Sequence, residues 1–98
     1  MNTLFTKEGI MKLLNNERDA FDFVQVVNSR YVLYTFDRDD NVEARLECHY
    51  LDHFNQTVEH LHLGQIIVNK TEDKVINKSV LFESIVALLN EHRLLEGK

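Results

Sequence analysis

Between Val42 and Tyr50 the chain alternates strictly. Val42, Ala44, Leu46, Cys48 and Tyr50 are apolar, and Glu43, Arg45, Glu47 and His49 lie between them. Successive side chains of a strand point to opposite faces, so this stretch predicts a strand with one oily and one polar side. Upstream, Phe21 to Val27 and Tyr31 to Phe36 are rich in aromatic and β-branched residues, which favour strands. Asn28-Ser29 reads as the tight turn between them. Asp37 to Asn41 reads as a longer turn, because Asp and Asn side chains satisfy nearby backbone groups. Leu51 to Gln56 forms a loop on this reading, followed by a strand from Val58 to Val68. The inward set of that strand starts as Leu61 and Leu63 and continues as Ile66 and Val68, a parity change that a β-bulge at Gly64 would absorb. Lys74 to Ile76 reads as a short closing strand.

Helical spacing flanks the strands. Thr6 is placed to cap a helix carrying Ile10, Leu13 and Leu14 at i, i+3, i+4, and the polar run Asn15 to Asp19 ends it. Gly9 weakens this helix by up to ~1 kcal/mol relative to alanine. Leu4 and Phe5, just ahead, are positioned for a staple-like contact. Near the other end, Ser79 or Asn77 caps a helix whose stripe is Leu81, Phe82, Ile85, Leu88 and Leu89. It frays near Leu95, with Gly97 as a stop. The expected fold class is α+β: an N-terminal helix, an antiparallel β-meander of four to five strands, and a C-terminal helix, in one domain spanning residues 1–98. Both helices cover one sheet face and leave the other largely wet. Most of the meander's aromatics, Phe21, Phe23, Tyr31, Tyr34, Phe36 and Tyr50, are expected in the core, with a tyrosine or two at the wet face.

Composition sharpens this picture in three places. At 98 residues the chain is long enough for one core and too short for two. Cys48 is the single cysteine, so no internal disulfide contributes. Lys7, Glu8 and Lys12 interrupt the apolar residues of the first segment as no signal peptide would. No apolar run approaches the ~20 residues that cross a bilayer. A cytoplasmic protein without membrane contact is expected.

The net charge of −5 argues against direct nucleic-acid binding. All of that imbalance sits in residues 31–60, where Asp37, Asp39, Asp40, Glu43, Glu47, Asp52 and Glu59 face only Arg38 and Arg45. A solvated strand face explains such a run. The sharper reading makes Asp37, Asp39, Asp40, Glu43 and Glu47 a surface for a protein partner that is basic.

The histidines supply the remaining chemistry. If Leu46 and Cys48 point inward, His49 points outward, and the same logic sends His60 and His62 outward. A tight antiparallel register then sets His49 opposite His60 and Glu47 opposite His62. Imidazoles and a carboxylate so arranged have the donor types that zinc takes. His49, His60 and His62 are therefore the metal candidates, although no cysteine pair or helical zinc motif accompanies them and no cofactor is expected. Asp37-Arg38-Asp39-Asp40-Asn41 has the acidic spacing that opens a calcium-binding loop. Val42 stands where that loop needs glycine, and Cys48 where it needs the closing glutamate. Cys48 and His49 are consecutive on a strand, so the imbalance of sides separates thiol from imidazole. No catalytic set emerges. The expectation is a non-catalytic protein-binding module, an inhibitor, immunity or accessory protein acting on a basic surface such as a nucleic-acid-binding groove. The alternatives are a self-associating structural or regulatory domain, dimeric through its sheet edge, and a metal- or pH-responsive binder using the histidine face.

Overall fold

Thr6 starts the first helix as its capping pattern predicts: its side-chain oxygen accepts from the Gly9 amide at 2.9 Å. The computed structural model describes residues 4–16 and 21–97. Within them run α1 (Lys7–Leu14), β1 (Phe21–Val26), β2 (Ser29–Asp37), β3 (Asn41–Asp52), β4 (Thr57–Asn69) and α2 (Lys78–Glu91). The four strands form one antiparallel sheet in the order β1-β2-β3-β4. The α+β class, the meander and the two flanking helices are therefore as the patterning predicts. Asn15 closes α1; the expected terminating residues Glu17 to Asp19 lie outside the described residues. Asn77, and not Ser79, caps α2, accepting from the Ser79 and Val80 amides.

The core occupies one side of the sheet. Leu33, Val42, Ala44 and Leu46 meet Ile10, Leu13 and Leu14 of α1 and Leu81, Ile85, Leu88 and Leu89 of α2. The chain beyond α2 is tied down, where fraying was expected. The Phe5 amide donates to Leu94 O at 2.9 Å, Glu96 N donates to Phe5 O at 2.7 Å, and Leu94 and Leu95 are buried. Phe5 thus joins the two ends instead of stapling α1 alone.

Two local expectations are corrected. The first hairpin turns at Val27–Asn28, one residue early, because Val26 pairs with Ser29. A two-residue turn needs a left-handed backbone, and Val27 takes it at φ 54°, an unfavourable place for a β-branched residue. No strand forms at Lys74–Ile76 either. Thr71 N donates to Val75 O and Lys74 N to Thr71 O, both at 2.9 Å, so the segment closes on itself and offers no ladder.

The bulge falls where the parity change puts it. Leu46 pairs with Gly64 and Glu47 with His62, leaving Leu63 as the extra residue of β4. Gly64 also lets α2 lie close, since a Cβ there would stand 2.8 Å from Leu88 Cδ1. A bulge bends and twists its strand locally. Here it separates the part of β4 under α2 from the part that carries His60 and His62.

Candidate functional site

The strand pairings set out, row by row, what the sheet presents on the side away from the helices. Phe21, Tyr34, Arg45 and Gln65 form one row; Phe23, Val32, Glu47 and His62 the next; Gln25, Arg30, His49 and His60 a third. Phe36 and Glu43 pair beside Ile67. No described element packs over these rows.

Most of the aromatics are therefore not in the core. Phe21, Phe23, Tyr34 and Phe36 belong to the uncovered face, and Tyr31 is the one that packs against the core. Both runs carry apolar residues on both parities, so hydrophobicity alone does not say which parity faces inward; the helices bury the parity of Val24, Tyr31 and Leu33.

On the open face the rings are contiguous. Phe23 lies 6.5 Å from Phe21, Phe21 6.2 Å from Tyr34, and Tyr34 6.3 Å from His49 between ring centroids. His49 then stacks on His60 at 4.1 Å, while Phe36 branches from Tyr34 at 6.0 Å. One line of rings thus crosses all four strands. Guanidinium groups cover parts of it: Arg30 sits 4.1 Å from the Phe23 centroid, and Arg45 and Arg38 sit 4.8 and 5.2 Å from that of Phe36.

Every acid assigned from the sequence to partner binding has a base beside it. Glu43 is the clearest departure: it lies on the open face yet is 4% exposed. Arg38 Nη1 reaches its Oε1 at 2.6 Å and Arg45 Nη2 its Oε2 at 3.2 Å. The hydrogen bond from Arg38 holds this carboxyl below the ordinary glutamate range, opposed by burial and reinforced by Arg45. Its cover is two guanidinium groups at the surface and not a deep interior. Glu43 is thus spoken for within the chain and presents no free carboxylate.

Asp37 pairs with Lys70 at 2.6 Å. Lys74 lies 3.2 Å from Asp39 and 2.6 Å from Asp40, and the hydrogen bonds it donates to Asp40 and Asp39 raise its pKa above the ordinary lysine value. Asp39 and Asp40 remain well exposed despite this pairing. Exposed ion pairs of this kind contribute little to stability.

Glu47, His49, His60 and His62 occupy the register that a tight antiparallel hairpin sets, His49 opposite His60 and Glu47 opposite His62. His49 Nε2 lies 3.0 Å from Glu47 Oε1. A carboxylate only accepts, so the ring donates from Nε2. The Tyr34 hydroxyl is 3.5 Å from the same nitrogen. Among the described residues, Glu47, His49 and His60 are the group whose donor atoms all lie within 4.8 Å of one another. His62 stands beside them on β4 but outside that group.

Cys48 is buried on the helix-covered side, across the sheet from His49, as their adjacency in a strand requires. It pairs with Tyr31, whose phenol is pushed upward by burial and then by the nearby thiol. On that same side, Leu63, Gly64, Ser84, Leu88 and His92 line an open groove of about 770 Å³ between β4 and α2.

Among the described residues no helix is long and apolar enough to cross a membrane. Comparison with protein-family models, with curated proteins and with solved structures gives no match to this chain.

Proposed function

We propose that this domain is a non-catalytic protein-binding module and that the open face of its sheet is the binding surface. The supporting observation is the composition of that face. Phe21 and Phe23 are 39% and 42% exposed, with Tyr34, Phe36 and three arginines around them. Aromatic residues and arginine are the types that dominate binding energy at protein interfaces, where lysine and free acids are depleted. Rings held in a sheet also lose little conformational freedom on binding.

The partner is a protein that offers an apolar patch flanked by basic residues. The rings anchor the patch. Asp39 and Asp40, exposed at the β2–β3 turn, meet the basic flank and act on association rate and partner choice more than on affinity. The acidic contribution to recognition is thereby confined to the turn, since Glu43 is committed to Arg38 and Arg45.

The test is capture of a partner from the native host, followed by titration of that purified partner. The double variant Phe21→Ala/Phe23→Ala is expected to weaken binding roughly 10-fold to 100-fold, mostly through faster dissociation. Asp39→Lys/Asp40→Lys is expected to slow association and flatten its salt dependence. Full affinity in the phenylalanine double variant overturns the assignment of this face. A stable dimer of the purified chain, dissolved by the same two substitutions, would replace the foreign partner with a second copy.

A further inference from the structure

We propose that Glu47, His49 and His60 form a binding site for a divalent transition-metal ion of the zinc class, with His62 beside it as a further donor. Glu47 and His49 are two apart on β3, so both emerge on the open face. His60 and His62 do the same on β4. Register then places His49 against His60 and Glu47 against His62, a two-by-two block of ligating residues with facing Cβ atoms roughly 5 Å apart.

Side-chain geometry narrows the block to a site. The Glu47 Oε1 to His49 Nε2 distance is 3.0 Å, and the three donor groups lie within 4.8 Å of one another. Four donors about 2.0–2.1 Å from a tetrahedral ion stand roughly 3.3 Å from each other. The Glu47–His49 edge is close to that value as it stands. His60, exposed on the edge strand and stacked on His49, reaches it by rotating about its side-chain bonds.

Two neutral imidazoles and one carboxylate make a donor set that suits zinc, and suits magnesium and calcium poorly. Binding through His49 Nε2 requires the proton now on that nitrogen to move to Nδ1, a change of tautomer without change of charge. The Tyr34 hydroxyl, 3.5 Å from His49 Nε2, would give up that contact when the nitrogen turns to the ion. The face is uncovered by any described element, which leaves the ion a way in.

The ion would bridge β3 and β4 just past the bulge, where Leu63 is the extra residue of β4. Metal binding would then fix the hairpin's geometry at the end of the ring row. This inference rests on ligand geometry alone and is independent of any partner.

The probe is zinc itself, titrated into the full chain in metal-free buffer against a chromogenic chelator, with thermal unfolding followed in parallel. The expected result is one zinc per monomeric chain and a rise in the melting temperature, because only the folded hairpin assembles the donors. His49→Ala and His60→Ala should each weaken zinc binding at least tenfold and abolish the thermal shift. His53→Ala and His92→Ala should leave both unchanged. His60→Ala changes an exposed side chain, so its fold is secure, and Glu47→Gln gives a second probe that keeps shape. Cobalt added in place of zinc should give the intense visible absorption of a four-coordinate ion, lost in the same variants. Absence of zinc binding, wild-type affinity in His49→Ala or His60→Ala, or one zinc shared by two chains would overturn the proposal.

Discussion

Truncating Leu46 to alanine is expected to lower the unfolding free energy by about 2–5 kcal/mol, a large share of the roughly 5–15 kcal/mol that holds a domain together. Leu46 is 0% exposed, in the third of four strands, on the side closed by the helices. It faces the cluster built from Leu33, Ile85, Leu88 and Leu89, and a methyl-lined void there has no easy way to collapse. The cost combines lost transfer energy with the cavity that remains. Urea unfolding should show a lower midpoint at an unchanged slope. Ile67→Ala provides the contrast. Ile67 lies on β4 but belongs to the open face and is 53% exposed, so its truncation should stay within about 0.5 kcal/mol of wild type. Equal losses at the two positions would mean that the sheet is covered on both sides.

The second large effect is expected on acidification, through Glu43. Its folded pKa lies below the ordinary value of 4.5, so the folded state binds this proton less readily than the unfolded chain does. The stabilisation is therefore fully present above about 4.5 and is lost as pH falls through the folded value. Glu43→Gln removes the charge and leaves Arg38 and Arg45 facing each other without a counter-ion. The variant should be clearly less stable than wild type at pH 7. The gap should narrow steadily below about pH 4.5 as the wild-type carboxylate takes up its proton. A gap that is the same at pH 7 and pH 3 would show that shape, and not charge, is what Glu43 contributes. Reversing all five candidate acids at once is a poor test of partner binding for the same reason. Glu43→Lys would gather three cations on one buried patch of sheet, whereas Asp39 and Asp40 stand in water, where reversal costs the fold little.

Much of the architecture was legible because β3 alternates without a fault. One strict strand assigns inside and outside for its neighbours, which put His49, His60 and His62 on one face; the His49–His60 and Glu47–His62 pairings needed a tight turn as well. The bulge was legible for the complementary reason, since a parity change inside one strand requires an extra residue. The aromatics were not, because β1 and β2 carry apolar residues at odd and even positions alike. Val32 and Leu33 are consecutive, face opposite sides, and are both buried.

The acidic middle third was legible as charge and not as pairing. A charge count sees Asp39 and Asp40 but not Lys74, which returns 35 and 34 residues later to lie against them. Likewise the alternation puts Glu43 outward correctly, yet two arginines fold over it. Facing away from the core is not the same as facing water.

The most direct test of the account is the accessibility of the ring row in solution. A neutral, soluble gadolinium chelate should strongly relax the ring protons of Phe21 and Phe23 and those of His60. The methyl groups of Leu33, Leu46 and Ile85 should keep their relaxation rates, being 0% exposed on the other side of the same sheet. Phe21 and Phe23 rings as well shielded as Leu46 would contradict it, because the face assigned here to binding would then already be closed.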